Sequence, residues 1–107
     1  MTAMKVAAST FPYLYSHDGL GAMKHLNNMG YSLFEMMIFP PHCWPRELSA
    51  DDRKASKSWL DDTGGQITSF CYPLLAHNPS GVDGLVREYT VGRYREAIDL
   101  AAEWECP

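Results

Sequence analysis

The sequence predicts an α/β chain that forms the first three strand-loop-helix units of a larger α/β barrel. Apolar, strand-like runs begin at Val6, Leu33 and Ile67, and each is followed by a polar loop and an amphipathic helical stretch. This repeat of about 30 residues is the length of one strand-loop-helix unit in a parallel sheet. Because a closed eight-unit barrel needs about 250 residues, residues 1–107 are expected to be the incomplete N-terminal portion of one barrel domain.

Composition agrees with a piece of a soluble, cytoplasmic enzyme and argues against a nucleic-acid or membrane partner. The formal net charge is -4 and no cluster of Lys and Arg is present, which argues against nucleic-acid binding because phosphate neutralisation needs concentrated positive charge. No run reaches the roughly 18 apolar residues of a membrane span, and no membrane partner is expected. Three widely spaced cysteines are typical of reduced cytoplasmic thiols.

The first unit combines a strand, an aromatic loop and a helix. Val6–Thr10 predicts a strand buried on both faces, because its side chains are small and uncharged. Asp18 can cap the next helix, and Gly30 can end it in a left-handed conformation. The rings of Phe11 and Tyr13 either pack under the barrel rim or contact substrate, since both uses favour flat amphipathic rings. Helical spacing predicts a buried stripe of Ala22, Leu26 and Met29.

The second unit contains a carboxylate inside an apolar strand. Leu33–Ile38 predicts a buried strand, and burying an unpaired Glu35 there would be costly. Glu35 should therefore have a partner, face a polar cavity or have a raised pKa. Perturbed carboxylates cluster at functional sites, whereas a structural salt bridge or an outward-facing position is the alternative.

Three prolines stiffen the loop after this second strand, because each proline fixes one φ angle. The loop also contains Trp44 and the adjacent pair His42 and Cys43, which lack the ligand spacing of a zinc site. Ser49 is expected to begin a peripheral helix over residues 50–61. Its thin apolar stripe is Ala55, Trp59 and Leu60, and its predicted solvated face carries Arg53, Lys54 and Lys57.

The third unit places a histidine after its strand. His77 follows the strand Ile67–Cys71, on the face where a barrel collects its catalytic groups. We expect His77 and Glu35 to share one rim, at or beyond the C-terminal ends of their strands. A histidine there can bind a metal or exchange protons near neutrality, or it is a loop residue bonded to its neighbours. The helix that follows has a predicted apolar stripe of Leu85, Val86, Tyr89, Tyr94, Ala97, Ile98 and Ala101.

Two stretches resemble a known family. Residues 30–35, a glycine followed by a few residues, an apolar residue and Glu35, are similar to the second-strand pattern of sugar phosphate isomerases and epimerases. Residues 78–80, Arg87 and residues 94–103 look like the third βα unit of the same family, which belongs to the xylose isomerase-like TIM barrel superfamily. Residues 104–107 depart from the small-residue and glycine ending of that family's helix.

The resemblance implies a (β/α)8 TIM barrel enzyme of carbohydrate metabolism that uses a divalent metal ion, Mn, Mg, Co or Zn. The metal would stabilise an enediolate formed by proton transfer beside the carbonyl of a sugar or polyol-derived substrate. In the family, a Glu/Asp/His/Glu set on later strands holds the metal. The catalytic residues and metal ligands are therefore expected beyond Pro107, and this portion alone is expected to bind no metal and to be inactive. Its expected substrate-binding residues are Glu35, His77, Phe11, Tyr13 and Trp44.

Two alternatives stay open. Endonuclease IV-like, metal-dependent phosphodiesterases belong to the same superfamily and place a metal-binding histidine after an early strand, a role open to His77, although the missing basic surface disfavours DNA. The chain could instead be a noncatalytic α/β module that completes its sheet by self-association or by docking on a partner. A homo-oligomer is therefore possible.

Overall fold

The computed structural model describes residues 3–73 and 77–107, which contain three strand-loop-helix units in succession. The three strands form one parallel sheet with the second strand in the middle, as the sequence predicts. Short 3-10 turns, Phe11–Tyr13 and Pro45–Glu47, lie in the loops after the first and second strands. The elements are β1 (Ala8–Ser9), α1 (Gly19–Asn28), β2 (Leu33–Met37), α2 (Ala50–Thr63), β3 (Gln66–Cys71) and α3 (Gly84–Glu103).

The first strand is shorter than predicted. Only Ala8 and Ser9 pair with β2, opposite Phe34 and Glu35. The preceding residues are exposed, with Val6 65% exposed. The expected burial of Val6–Thr10 on both faces is therefore wrong for Val6 and Ala7, partial for Ala8 and Ser9, and confirmed only at Thr10. Because β1 is an edge strand in the described part of the chain, residues without a partner in β2 have no backbone ladder to hold them.

The core lies between the helices and one face of the sheet. Phe34 and Met36 of β2 alternate onto this face, since successive side chains of a strand point to opposite sides, and both are completely buried. Ile67 of β3 joins them. The helices contribute Met23, Leu26, Leu60, Ala97 and Leu100 to the same cluster, and Trp104, which directly follows α3, also belongs to it.

Helix α1 follows its predicted capping but not its whole predicted stripe. Asp18 accepts a hydrogen bond from the Gly21 backbone N–H at 2.7 Å, and Gly30 has a φ of +100°. Ala22 and Leu26 are buried as expected, whereas Met29 is exposed. The helix ends at Asn28, so Met29 is no longer on its buried face.

Helix α2 begins with a capping box, in which Ser49 and Asp52 exchange two hydrogen bonds of 3.0 Å between side chain and backbone. Its buried face differs from the prediction, because Ser56 is buried beside Leu60 while Ala55 is exposed. The predicted solvated face is also wrong for Arg53 and Lys57. They form ion pairs of 3.5 Å with Glu103 and Glu105, because the end of α3 passes beside α2.

Helix α3 buries a different face from the predicted stripe. Its buried residues recur every three or four positions, at Thr90, Arg93, Ala97 and Leu100. Of the predicted stripe only Ala97 is buried, while four members are clearly exposed: Leu85, Val86, Tyr89 and Ile98. Local contacts, rather than apolar side chains, cover the first part of this face: Thr90 Oγ1 accepts a hydrogen bond from the Asn78 N–H at 3.1 Å, and Arg93 packs on the Tyr89 ring. Within residues 3–73 and 77–107, no helix is long and apolar enough to cross a membrane.

Candidate functional site

The loops that follow β2 and β3 enclose an open cavity of about 320 Å³. Five aromatic or imidazole side chains form much of its wall: Phe39, Trp44, Tyr72, His77 and Tyr89. Glu47 is the one charged side chain among the described residues that line it. Parallel α/β barrels build their active sites at this end of their strands, so the cavity lies where the sequence predicts a site.

The rings of the cavity contact one another. The His77 ring stacks on Trp44 with centroids 6.2 Å apart and an interplanar angle of 17°, and it lies 5.0 Å from the Tyr89 ring. The Tyr72 hydroxyl and His77 Nδ1 are 3.0 Å apart. Burial, followed by the neighbouring tyrosines Tyr89 and Tyr94, raises the pKa of Tyr72 to about 12. Tyr72 keeps its hydroxyl proton at neutral pH and can donate a hydrogen bond to Nδ1 when that nitrogen carries no proton, which orients the imidazole.

Glu35 lies on the opposite face of the sheet from Phe34 and Met36. Its Oε1 accepts a hydrogen bond from Ser9 Oγ at 3.2 Å and its Oε2 accepts one from Ser69 Oγ at 3.4 Å. The strand register aligns these three residues across the sheet. The expected partner of the carboxylate is thus a pair of hydroxyl groups, and in the described part of the chain no Lys or Arg forms an ion pair with it.

The five predicted substrate-binding residues fall into separate places. Trp44 and His77 meet in the cavity, whereas Glu35, Phe11 and Tyr13 do not line it. Phe11 is 60% exposed. The Tyr13 ring packs against His17 and His25, with centroids 5.4 and 5.1 Å apart. The expected position of Glu35 at the C-terminal end of its strand is wrong, because it is the central residue of β2. It makes no hydrogen bond to His77 among the described residues.

Sequence reasoning missed a buried polar network around His42. His42 is 2% exposed, and its Nδ1 donates to the backbone carbonyl of His17 at 2.7 Å. Its Nε2 lies 3.0 Å from Thr10 Oγ1, which accepts a hydrogen bond from the Met37 N–H at 3.0 Å. With Nδ1 protonated, the Thr10 hydroxyl is the donor to Nε2, so every polar atom of the imidazole is satisfied. His42 therefore connects the loop after β2 to the loop after β1 by hydrogen bonds. The residues next to it in the sequence do not indicate that role.

Potential metal ligands do not cluster in the described part of the chain. No group of three or more His, Cys, Asp or Glu side chains in residues 3–73 and 77–107 could hold a metal ion. A catalytic zinc site typically has three protein ligands, and the described residues do not bring three such side chains together.

Comparison with known proteins supports the fold. No family model and no curated protein matches the chain. Among solved structures, the chain is similar to a D-tagatose 3-epimerase-like protein, with 23% sequence identity and a TM-score of 0.75. The likeness covers 96% of this chain but 35% of that chain, so this chain spans about a third of its length. The three units have the fold of the first βα units of a TIM barrel. A shared fold does not by itself establish a shared activity.

Alkaline pH is expected to destabilise the folded chain through its buried thiol. Burial, and then the nearby Asp18 carboxylate, raises the pKa of Cys43 from 9.0 to about 12. The folded chain therefore holds this proton more tightly than the unfolded chain does. The resulting stability is complete below pH 9.0 and is lost as the pH rises towards about 12. Urea unfolding across this range should show a falling free energy of unfolding.

The matched control is Cys43→Ala, which removes the thiol and should flatten this part of the pH profile even though it lowers stability at every pH. Tyr72, whose pKa is also raised, should account for part of the slope that is left. A free energy of unfolding with the same pH slope in both proteins would contradict the role of Cys43.

Proposed function

We propose that this chain forms the front wall of the substrate mouth in a sugar isomerase or epimerase. The observation that carries the proposal is the aromatic cavity beyond β2 and β3, in which Trp44, Tyr72 and His77 surround a space large enough for a monosaccharide. The likeness to a D-tagatose 3-epimerase-like protein supports the same class of reaction. The chain is the N-terminal portion of a larger barrel in this proposal.

The chemistry of the cavity suits an uncharged sugar. A sugar presents C–H groups that pack on aromatic rings and hydroxyl groups that need polar partners. Glu47 can accept hydrogen bonds from hydroxyl groups, and His77 can donate or accept them. The only charged side chain among the described lining residues is the Glu47 carboxylate, which would repel a phosphate. The same charge gives no support to binding a DNA backbone, as the phosphodiesterase alternative requires.

In this proposal the chain binds and orients the sugar, and Glu35 belongs to the barrel interior. Isomerisation and epimerisation both remove a proton beside a carbonyl and return it elsewhere, which requires a positioned acid and base. Glu35 carries a carboxylate on the sheet face away from the helices, the face that points inward in a barrel. Ser9 and Ser69 fix its orientation without neutralising its charge.

Sugar binding is tested by saturation-transfer NMR on the chain with D-tagatose or D-fructose. When the aromatic protons of the protein are irradiated, their saturation should transfer to the bound sugar. Trp44→Leu should weaken the affinity for the sugar by about tenfold, because it removes the stacking surface. Tyr15→Leu is the matched control, because Tyr15 is an exposed aromatic residue that does not line the cavity. A folded chain that gives no transfer to any ketose, or the same transfer in Trp44→Leu, would contradict the proposal.

Glu35→Gln is expected to reduce turnover far more than stability in the product of the complete reading frame that carries this sequence. Glutamine keeps the size of the side chain, and the hydroxyl groups of Ser9 and Ser69 can rotate to suit its amide. Turnover is followed as deuterium incorporation from D2O beside the sugar carbonyl, and stability as the midpoint of thermal unfolding. Equal losses of turnover and stability would favour a purely structural Glu35.

A further inference from the structure

Arg93 of α3 is an unusual member of a buried helix face. Its side chain is 7% exposed, and its Nη2 donates to Glu96 Oε1 at 3.0 Å. Its guanidinium carbon lies 4.7 Å from the centre of the Tyr89 ring. Within the described residues its Nε has no hydrogen-bond partner. Removing a guanidinium from water is costly, and one ion pair with one cation–π contact offsets that cost only in part. An apolar side chain would fill the same space at a lower desolvation cost, so a contribution to stability alone does not explain Arg93.

Glu96 connects Arg93 to the other wall of the cavity. It also binds Arg46, whose Nε lies 2.8 Å from Oε1 and 3.1 Å from Oε2. Arg46 belongs to the turn Pro45–Glu47. Of the cavity residues, Glu47 follows it directly and Trp44 lies two residues before it. Half-exposed ion pairs contribute little to stability, but this one ties the turn to α3 at a defined place.

The two contacts of Glu96 therefore join the two sides of the cavity. Arg93 lies against Tyr89, and the Tyr89 ring contacts His77. Arg46 belongs to the turn next to Trp44, and the Trp44 ring stacks on His77. A displacement of either arginine would move a ring that lines the cavity.

We propose that Arg46, Glu96 and Arg93 form a clamp that sets the distance between the Trp44 and Tyr89 walls, with Arg93 and Glu96 as positioning residues for the bound sugar. The effect on sugar affinity rests on the proposed function, whereas the effect on the rings does not. Arg93 needs no contact with the sugar to act in this way, since it acts through the Tyr89 ring. The guanidinium is suited to this role because its flat face can cover an aromatic ring while its edge binds a carboxylate.

The test compares Arg93→Met with Arg95→Met on the same helix, because Arg95 is exposed and belongs to no ion pair among the described residues. The NMR resonances of the His77 imidazole should shift in Arg93→Met and stay in place in Arg95→Met. Affinity for D-tagatose should fall about tenfold in Arg93→Met, while the free energy of unfolding is unchanged or higher. Arg93→Lys should restore less than half of the lost affinity, because an ammonium cannot cover the ring as a flat group does.

Additivity provides a second criterion. If the clamp acts as one unit, the double variant Arg46→Met/Arg93→Met should lose no more affinity than the more damaging single variant. His77 resonances that stay in place in Arg93→Met would overturn the clamp whether or not the chain binds a sugar. Additive losses, or a fall in affinity matched by a fall in stability, would also overturn it. If the His77 resonances differ between Arg93→Met and the parent chain while neither protein binds a ketose, that result would support the clamp and contradict the proposed function.

Discussion

Replacing Phe34 by alanine is expected to abolish the cooperative unfolding transition of this chain. Phe34 is completely buried in β2, the strand that pairs with both others. Its ring contacts Trp59, with centroids 5.9 Å apart, and leaves no spare space beside Gly65, where an added Cβ would lie 3.2 Å from the ring. Truncating a buried phenylalanine costs about 3–5 kcal/mol. Because whole domains are stable by only about 5–15 kcal/mol, and small ones by less, that loss should leave little folded protein.

Thermal and urea unfolding followed by far-UV circular dichroism measure this effect. Phe11→Ala is the matched control, because it makes the same chemical change at a side chain that is 60% exposed. It should change the free energy of unfolding by no more than about 0.5 kcal/mol. A cooperative transition in Phe34→Ala with a midpoint close to that of the parent would mean that the core does not depend on β2.

The order of elements was predictable because its signals are local. Apolar runs of strand length mark β2 and β3, while Asp18 and Ser49 cap the helices through hydrogen bonds within one turn. The true extent of β1 was not predictable in the same way. A strand ends where its partner ends, and Ala8 and Ser9 are the residues that β2 pairs with. The length of this pairing depends on β2, which is distant in sequence, so it cannot be predicted from the residues of β1 alone.

The buried face of α3 could not be found from polarity alone. The helix buries Thr90 and Arg93 and leaves Leu85 and Ile98 exposed. Arg93 is tolerated there because its ion pair with Glu96 and its contact with the Tyr89 ring offset part of the cost of burying its charge. A reading based on hydrophobic spacing assumes that apolar residues mark the covered face, and that assumption fails where a buried ion pair replaces them.

Part of the candidate site was predictable from where its residues lie in the sequence relative to the strands. Trp44 and His77 follow β2 and β3, and residues after parallel strands collect at one end of the sheet. The same rule would have found Tyr72, which directly follows β3, but it could not find Tyr89, which reaches the cavity from α3. The partners of Glu35 were also hidden. The register shifts between Phe34 and Glu35, and this irregularity places Ser69 opposite the carboxylate.

The chain is expected to self-associate at concentrations of about 100 µM, because its sheet has unpaired edges. In the described residues, β1 and β3 each pair only with β2, so each presents a row of backbone donors and acceptors along its other side. Such edges pair with edges of other chains unless charges or prolines block them. Light scattering at increasing concentration should show a rising mean mass.

A pair of matched substitutions separates edge pairing from simple contact between apolar surfaces. Val6 precedes β1 and Ile98 lies on α3, and both side chains are 65% exposed. Lysine near a strand edge disfavours edge-to-edge pairing, so Val6→Lys should reduce the mean mass while Ile98→Lys leaves it nearly unchanged. The reverse result would assign association to the exposed face of α3. A monodisperse monomer at every concentration of the parent chain would contradict the open-edge argument, because it would mean that the two free edges of the sheet do not pair with other chains.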